Sequence, residues 1–600
     1  MLRFAVFTAT LLLLLAIVRI AVFPPAKRYE ISIYDSIPLD FWLMVAGALF
    51  LAEVSLFGYA LTGRNRSLSR VAIFMVVFSN CVLMSVPLFQ GYFSFGRGDA
   101  LTHYGSIEYT IEHARYPRDL FYPADIQMAV SLHIVGSIRT GEITVIWPMI
   151  MAAFYLLGLF VFVREELAER KALMVLAFAG SLPFGVGQIL ILAPSVQGFL
   201  LLPFSLYLIF MSMTRTRSPS FAISALIVIL ATVFYHPLET LLLILILAIA
   251  RPIDVWSRRT SKQLLRTTSL DREPHIGNEL LSNRRTLCIL TGILFFQWYF
   301  SFDKTAGTVR TFVASIFFGT PSAPISLYSG YLSMVHPSFQ YVLEILFQTY
   351  GEFILLFLAA IVSALFLRNL MKQKALPKEV KAYVRFFERG ALVFAALMTA
   401  GFVWELIVGT RYSKDYVFFS TCLIGVAAAS TVAGPRGWKS GFRLAATVGL
   451  ILAISFLSVF QCYHSPRTVD PSHQVTEMEF TGAEWFLKYN ESTQNVADLG
   501  LGLDRFHYAI LMTGIDVNRV VAVPPHFDYD ANTTYGKSYV HETYVIITAL
   551  GEEWYPIGRP DFKDIWRWAP EDFRMLENDT YVARLFDNGG FQGLDVTPET

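Results

Sequence analysis

Long apolar runs separated by short polar loops occupy the first 460 residues of the chain. A helix that crosses a bilayer needs about 20 mostly apolar residues, and on that criterion we predict about 13 transmembrane helices. The stretch 220–250 contains a His236-Pro237 break, so it forms either two short helices or one long kinked helix. The predicted spans are 4–23, 41–62, 71–91, 143–163, 172–194, 197–213, 220–235, 237–250, 286–301, 342–367, 390–410, 417–433 and 444–460.

The short loops between these spans alternate between rich and poor in Lys and Arg. Cytoplasmic loops of membrane proteins carry the excess of these residues. The alternation holds along the whole chain if 220–250 crosses the membrane twice. It then places the N-terminus in the cytoplasm and residues 461–600 outside, in a multi-pass protein of the cell membrane. The basic loops are 63–70, 164–171, 214–219, 251–285, 368–389 and 434–443.

Composition agrees with a chain dissolved in lipid and divides it in two. Hydrophobic residues make up 54% and charged residues 16%, whereas soluble domains average about 25% charged residues. The net charge of +1 combines +13 in residues 1–460 with −12 in residues 461–600. We therefore predict a transmembrane domain, 1–460, with long outside loops at 92–142 and 302–341, and a soluble extracytoplasmic domain, 461–600.

The predicted extracytoplasmic domain has the pattern of an α/β or α+β fold. Residues 475–489 have apolar positions at helical spacing, and the short apolar runs 496–497, 520–523 and 544–549 read as strands. The whole chain is thus expected to be a polytopic α-helical membrane protein with a compact C-terminal domain of ordinary size.

Most candidate chemistry lies in the first long outside loop, 92–142. If residues 99–113 form a helix, Asp99 and His103 share one face at a spacing of four residues, as do Glu108 and Glu112. An ordinary solvated loop would also carry such residues. These carboxylates and histidines, however, follow directly after a span, where a general base or a metal ligand faces lipid head groups.

A second outside point is the break between the two short spans, which carries His236 and Glu239. The plain alternative is a proline-broken turn in which Glu239 caps a helix. Few ionisable residues lie within the predicted spans. Because charge in lipid is costly, Glu53, Glu344 and Glu405 are also candidates for functional sites, and Glu405 is the one that we connect to the outside site.

A third outside point joins two cations, Arg411 and Lys414, around Tyr412. Outside loops are otherwise poor in cations, and a phosphate group needs such partners. The alternative is an ion pair of Arg411 with Asp415 or with Glu405, which lies in the preceding span.

The sequence motifs of several common enzyme classes are absent. The sequence contains no GxxxxGKS/T phosphate loop, no Rossmann glycine pattern before a helix, no HExxH and no GxSxG. Without an ATP site, energy must come from an activated substrate or from an ion gradient.

The first outside loop and the general layout resemble the GT-C glycosyltransferases. The stretch 98–105 reads GDALTHYG, followed by YP at 116–117 and FYPA at 121–124. This part is similar to the first outer loop of archaeal and bacterial members. The layout of 13 spans and an outer domain is similar to the oligosaccharyltransferase catalytic subunit. The WWDYG motif of that subunit is absent, and its paired acidic motif is reduced to Asp99 followed by Ala100.

The resemblance implies transfer of a sugar from a polyprenyl-phosphate donor to a lipid, glycan or protein acceptor on the outer face of the membrane. It implies that Asp99 takes the proton of an acceptor hydroxyl, with His103 orienting or assisting it. We predict Asp99 and His103 as catalytic residues. The predicted substrate- and phosphate-binding residues are Arg411, Lys414, Tyr412, His236, Glu239, Glu108 and Glu112.

Two other functions fit the same sequence: a transporter or flippase for lipid-linked glycans, and a non-enzymatic cell-surface assembly protein. A transporter would show broken helices in matching halves, and an assembly protein would not need an acidic first loop. The expected partners are membrane lipids, the polyprenyl-phosphate sugar donor and the acceptor, with no nucleic acid. No cofactor is identified. A divalent metal at Asp99 and His103 stays open, since two ligands do not define a site.

Overall fold

The computed structural model describes residues 2–63, 66–118, 120–214, 219–250, 284–303, 338–403, 412–431, 438–468, 470–491 and 493–599, with the single positions 307 and 310. Of the residues named above, Arg411 and Glu405 lie outside this described part, as does most of the loop 302–341.

Helices account for most of the described residues before position 461. In chain order they are α1 (Leu2–Ala21), α2 (Ile33–Ser36), α3 (Leu39–Thr62), α4 (Arg66–Met84), α5 (Val86–Phe89), α6 (Asp99–His113), α7 (Pro123–Gly136), α8 (Thr140–Leu167), α9 (Glu169–Ala179), α10 (Pro194–Leu200), α11 (Leu202–Thr214), α12 (Pro219–Tyr235), α13 (Pro237–Ile249), α14 (Arg284–Tyr299), α15 (Phe339–Lys372), α16 (Lys378–Val403), α17 (Ser413–Thr431) and α18 (Trp438–Phe460).

Within the described residues, six helices are long and apolar enough to cross a membrane: α1, α3, α4, α8, α15 and most of α18. The pair α10 and α11 makes a seventh candidate, bent by 46° at its break. The structure therefore supports a multi-pass membrane protein, while the count of about 13 spans stays a prediction.

Two helices occupy the centre of the bundle. Helix α3 packs against α1, α4, α9 and α18, and helix α17 packs against α9, α15 and α16. Every residue of α17 from Ser413 to Ala428 is buried. A helix that is surrounded on all sides should be apolar throughout. The charged residues at the start of α17 depart from that rule.

The residues after α18 form a small mixed sheet with flanking helices. The helices are α19 (Glu477–Tyr489), α20 (Leu503–Leu511), α21 (Ala549–Glu553) and α22 (Pro570–Glu577), and the strands are β3 (Asn495–Leu499), β4 (Thr543–Thr548), β5 (Val582–Asp587) and β6 (Phe591–Val596). The strand order is β3-β4-β6-β5. Strands β3 and β4 are parallel, and the other two pairs are antiparallel.

This C-terminal segment is joined to the first loop at two places. Strand β1 (Ser94–Phe95) pairs antiparallel with β2 (Gln474–Val475). Helix α19 begins with a capping box, in which Thr476 and Glu479 satisfy each other's backbone N–H groups. Glu479 also forms a buried ion pair with Arg97, which follows β1. The first loop and the C-terminal segment are thus anchored to each other beside α6.

Two elements differ from the sequence-based predictions. The predicted span 172–194 is not one helix, because α9 ends at Ala179 and residues 180–193 follow without a helix. Gly180, Pro183, Gly185 and Gly187 interrupt the helical pattern there. The predicted strand 520–523 is also wrong. Val520 makes only an isolated parallel bridge to Val496 beside β3.

Candidate functional site

Asp99 is the first residue of α6, directly after Gly98, whose φ is +66°. A carboxylate at this position interacts favourably with the positive end of the helix. Its Oδ1 lies 3.0 Å from Nη1 of Arg505 in α20, and the Asp99 side chain is 67% exposed. The same nitrogen of Arg505 donates a hydrogen bond to Thr102 Oγ1 at 3.1 Å. Asp99 is therefore open to solvent and paired with a cation from the C-terminal segment. Nothing in the first loop pointed to Arg505.

Gly105 lets α20 approach α6 closely enough for this pairing. A Cβ at position 105 would lie 2.5 Å from the backbone oxygen of Tyr508 and 2.8 Å from Cα of Ala509. Real Cβ atoms essentially never come this close to other atoms. The helix carrying Asp99 and His103 is thus held directly against the backbone of α20.

His103 faces inward from α6 and is buried. Burial lowers its pKa to about 4, with the charge of Asp99 acting in the opposite direction and that of Arg505 in the same one. The imidazole is therefore neutral at physiological pH. Its ring centroid lies 6.3 Å from that of Tyr122, which in turn lies 5.1 Å from the His236 ring. This row of rings connects α6 to the break between α12 and α13.

At that break, His236 is the N-cap of α13 and Pro237 is its first residue. His236 Nδ1 accepts a hydrogen bond from the Leu238 N–H at 3.2 Å. The break at 236–237 predicted from the sequence is confirmed, and the chain forms two separate helices there. Glu239, in the first turn of α13, is buried.

Lys414 and Glu239, both predicted site residues, meet inside the protein. Lys414 Nζ lies 3.6 Å from Glu239 Oε1, and the two side chains are 2% and 4% exposed. Lys414 Nζ also donates a hydrogen bond to the Ser195 carbonyl at 3.2 Å. The expectation that Lys414 lies in a loop is wrong, because it is the second residue of the central helix α17.

The next residue, Asp415, places a second carboxylate beside the pair. Asp415 is fully buried. In the described part of the chain neither of its carboxylate oxygens has a hydrogen-bond partner. Its charge interacts with those of Lys414 and Glu239. One cation is thus shared by two buried carboxylates at the start of α17. The sequence suggested Asp415 only as a partner of Arg411.

Asp125 is a further buried carboxylate that sequence reasoning passed over. It lies in α7 and is fully buried, and its Oδ1 accepts a hydrogen bond from Trp147 Nε1 at 2.8 Å. Burial raises its pKa to about 7, which the hydrogen bond from Trp147 partly opposes. Asp125 shares the apolar face of α7 with Ile126, Ala129 and Val130. A lone carboxylate on an apolar face was the available signal.

These groups occupy one end of the bundle. Helix α7 contacts α6, α10 and α12, and α10 also contacts α12 and α13. The charge of Asp125 acts on Tyr235. A Cβ at Gly198 would lie 3.2 Å from Cβ of Tyr235 and 3.1 Å from Cγ of Glu239. Contacts thus run from the ring row, through the α12–α13 break, to the buried charges of α17.

The remaining predicted residues lie apart from this group. Glu108 lines a cavity of about 260 Å³. Glu112 is exposed, with its carboxylate 3.8 Å from His113 Nδ1, and Tyr412 packs at the edge of the bundle core. The other residues that line the cavity are Phe93, Tyr104, His133, Arg139, Thr140, Gly141, Glu142 and Glu477.

The structure does not extend Asp99 and His103 into a metal centre. Among the described residues, the three side chains close enough together to share a metal ion are His464, Asp470 and His473, in the connection between α18 and α19. Within the described residues, no third His, Cys, Asp or Glu side chain completes a metal site with Asp99 and His103.

No protein-family profile and no curated protein sequence matches the chain. Among solved structures, it is similar to the oligosaccharyltransferase of Archaeoglobus fulgidus crystallised with zinc and sulfate. That similarity has 14% identity and a TM-score of 0.45, and it covers 86% of this chain and 72% of that one. The same enzyme tethered to an acceptor peptide with the NVT sequon gives 13% identity, a TM-score of 0.45 and coverages of 87% and 74%.

The chain is also similar to ArnT of Cupriavidus metallidurans bound to undecaprenyl phosphate. Identity is 8% and the TM-score 0.39, with 87% of this chain and 97% of that one covered. Both enzymes are GT-C glycosyltransferases, the class that the first loop of this chain resembles. At this level of similarity the comparison assigns neither a fold nor an activity to this chain.

Proposed function

We propose that this protein is an integral-membrane glycosyltransferase that moves a sugar from a polyprenyl-phosphate donor to a lipid, glycan or protein acceptor. The observation that carries the proposal is the buried charge cluster of Lys414, Glu239 and Asp415 beside the α12–α13 break. Burying three ionisable groups is costly, so a purely structural helix would not be expected to retain them. The resemblance of residues 98–124 to the first loop of GT-C enzymes supplies the reaction class.

In the proposed reaction the acceptor hydroxyl oxygen attacks the anomeric carbon of the sugar. The bond from that carbon to the phosphate oxygen breaks, and the lipid phosphate leaves with the electron pair. Asp99 takes the hydroxyl proton, because it is an exposed carboxylate at the loop that the acceptor reaches first. Arg505 holds the Asp99 carboxylate in position from the side of the C-terminal segment.

Lys414 is the group proposed to stabilise the negative charge that develops on the leaving phosphate. Its present partner is Glu239, so the phosphate must compete with a carboxylate for the same ammonium group. Arg411, which precedes this helix, is proposed as the second cation for the phosphate.

The test is transfer of radiolabelled sugar from polyprenyl-phosphate donors by membranes that contain the full chain. Removing a general base typically lowers turnover by about 10²–10⁴-fold, which is the loss expected for Asp99→Asn. The matched control is Glu571→Gln, which removes a carboxylate that is also 67% exposed and paired with an arginine and should leave transfer unchanged. Unchanged transfer in Asp99→Asn excludes Asp99 as the base.

The same proposal places the N-terminus in the cytoplasm and residues 92–142 and 461–600 outside. Membrane-impermeant thiol labelling of single cysteines at Glu112 and at His541, both exposed, should succeed in intact cells. Labelling only after the cells are opened would show that these residues lie inside the cell, and the proposed site would then not face the outer side of the membrane.

A lipid-linked glycan transporter is the second candidate, since the bundle contains two neighbouring helix breaks. One lies between α10 and α11 and the other between α12 and α13. Transporters bind their substrates at such discontinuous helices. Movement of a fluorescent lipid-linked glycan across vesicles without sugar transfer would favour this function over the first.

A further inference from the structure

The connection between α18 and α19 brings two histidines and an aspartate together: His464, Asp470 and His473. The two imidazole rings stack with their centroids 3.8 Å apart and their planes at 14°. One potential ligand atom from each of the three residues lies within 4.8 Å of the others. The three side chains come from a span of ten residues, so a local fold of the connection creates the cluster.

The contacts in the cluster are ion pairs, one of them also a hydrogen bond, and their distances also suit the ligands of one metal ion. Asp470 Oδ2 lies 3.3 Å from His464 Nδ1 and also 3.3 Å from His473 Nε2. Charged hydrogen bonds are usually about 2.7–2.9 Å long. Zinc bonds to nitrogen and oxygen are about 2.0–2.1 Å, which puts neighbouring ligands of a tetrahedral ion about 3.3–3.4 Å apart. Both separations match that edge length, and the third pair of ligand atoms lies within 4.8 Å.

The histidine nitrogens give a second, independent observation. His464 Nδ1 and His473 Nδ1 are buried, and among the described residues neither has a hydrogen-bond partner. Buried polar atoms without partners cost free energy. A metal bond to His464 Nδ1 would satisfy one of them directly. Gly187 makes room for the ring, because a Cβ at that position would lie 2.1 Å from His464 Nε2.

We propose that His464, Asp470 and His473 bind a zinc ion. Two imidazoles and one carboxylate are a donor set that zinc accepts in tetrahedral coordination. Three protein ligands leave the fourth position to water, on the side where the Asp470 side chain is 49% exposed. Since the cluster shares no residue with the proposed catalytic group, this zinc would be separate from any metal at Asp99.

The surroundings indicate what the ion would do. Gly96 N–H donates a hydrogen bond to the His473 carbonyl at 2.8 Å, and Gly187 N–H donates one to the Cys462 carbonyl at 3.1 Å. The Tyr29 hydroxyl donates one to the Ser472 carbonyl at 2.7 Å. The zinc would therefore fix the connection where it touches three parts of the bundle, and so hold the C-terminal segment against α6.

The experiment uses the full chain, purified in detergent, stripped with a chelator and titrated with zinc chloride alone. Wild type should bind one zinc per chain and gain thermal stability on binding. Mutation of a residue that only hydrogen-bonds to a metal ligand already lowers metal affinity by about 10–100-fold. The zinc affinity of Asp470→Asn and of His473→Gln should therefore be at least about 100-fold lower than that of wild type. The control His541→Gln removes an exposed histidine and should bind like wild type.

One further variant distinguishes this site from a metal site in the first loop. Asp99→Asn should keep its zinc, and loss of the zinc would place the ion in the first loop instead.

If a ligand variant does not fold, X-ray absorption of the zinc-loaded wild type decides the question. The spectrum should show two imidazoles and oxygen at about 2.0–2.1 Å from the ion. Absence of imidazole scattering overturns the assignment. Failure of the wild type to bind one equivalent overturns it as well.

Discussion

Replacing Gly105 by alanine tests the contact that holds α6 against α20. The new methyl group would lie 2.5 Å from the Tyr508 oxygen, 2.8 Å from Ala509 Cα and 3.1 Å from the Ala509 oxygen. These are backbone atoms, so no side chain can rotate away. To bring the shortest contact to 3.0 Å, the limit for real Cβ atoms, the two helices must separate by about 0.5 Å.

The change in the free energy of unfolding expected for Gly105→Ala follows from two opposing effects. Overpacking a well-packed contact typically costs about 1–3 kcal/mol. Replacing glycine by alanine inside a helix recovers about 0.8–1.0 kcal/mol, wherever the glycine lies. Gly292→Ala is the matched control, because Gly292 lies inside α14 and, in the described part of the chain, a Cβ there would have no atom within 4 Å. The stability difference between the two variants isolates the overpacking.

The measurement is thermal unfolding of the detergent-purified full chain, followed by intrinsic fluorescence. We expect Gly292→Ala to equal or exceed wild type, and Gly105→Ala to melt at least a few degrees below Gly292→Ala, as roughly 2 °C per kcal/mol suggests for large chains. Sugar transfer should fall in Gly105→Ala, since Asp99 and Arg505 are carried by the two helices that separate. Equal melting temperatures for the two variants would refute the close approach of α6 and α20.

Three further perturbations probe the buried charges. Lys414→Met removes the ammonium group that lies beside the buried carboxylates of Glu239 and Asp415, so the same melting assay should show a loss of about 3–5 kcal/mol. Adding Glu239→Gln to Lys414→Met should restore part of the lost stability. If the stability losses of the two single variants simply add, Lys414 and Glu239 are not an interacting pair. Asp125 has a pKa raised to about 7 in the fold, so its protonated form is favoured and stability falls as pH rises from about 4 to 7. The Asn side chain of Asp125→Asn can still accept the hydrogen bond from Trp147, so this variant should not lose stability as the pH rises. Its stability relative to wild type should increase up to pH 7 and stay constant above pH 7.

Local pattern was enough to predict several elements near the site. The helix proposed for residues 99–113 has those bounds in the structure, and the break at 236–237 divides α12 from α13. Both follow from neighbouring residues: polar and apolar positions at helical spacing in the first case, and a proline in the second. The spacing of four residues between Asp99 and His103 was a poorer guide, because it predicted that the two side chains share one face of the helix. Asp99 is exposed while His103 is buried.

The sequence by itself determined that the chain is a membrane protein of many helices, followed by an acidic segment with strands. These properties depend on runs of apolar residues and on local charge, which each segment carries without its neighbours. The tertiary structure alone decided which ionisable groups are buried together. Arg505 and Asp125 entered the candidate site only because other helices bring them to Asp99 and Trp147, and Asp415 did so because α13 brings Glu239 to the neighbouring Lys414. The interaction between charges depends on their separation and burial in space, and neither can be read from their order along the chain.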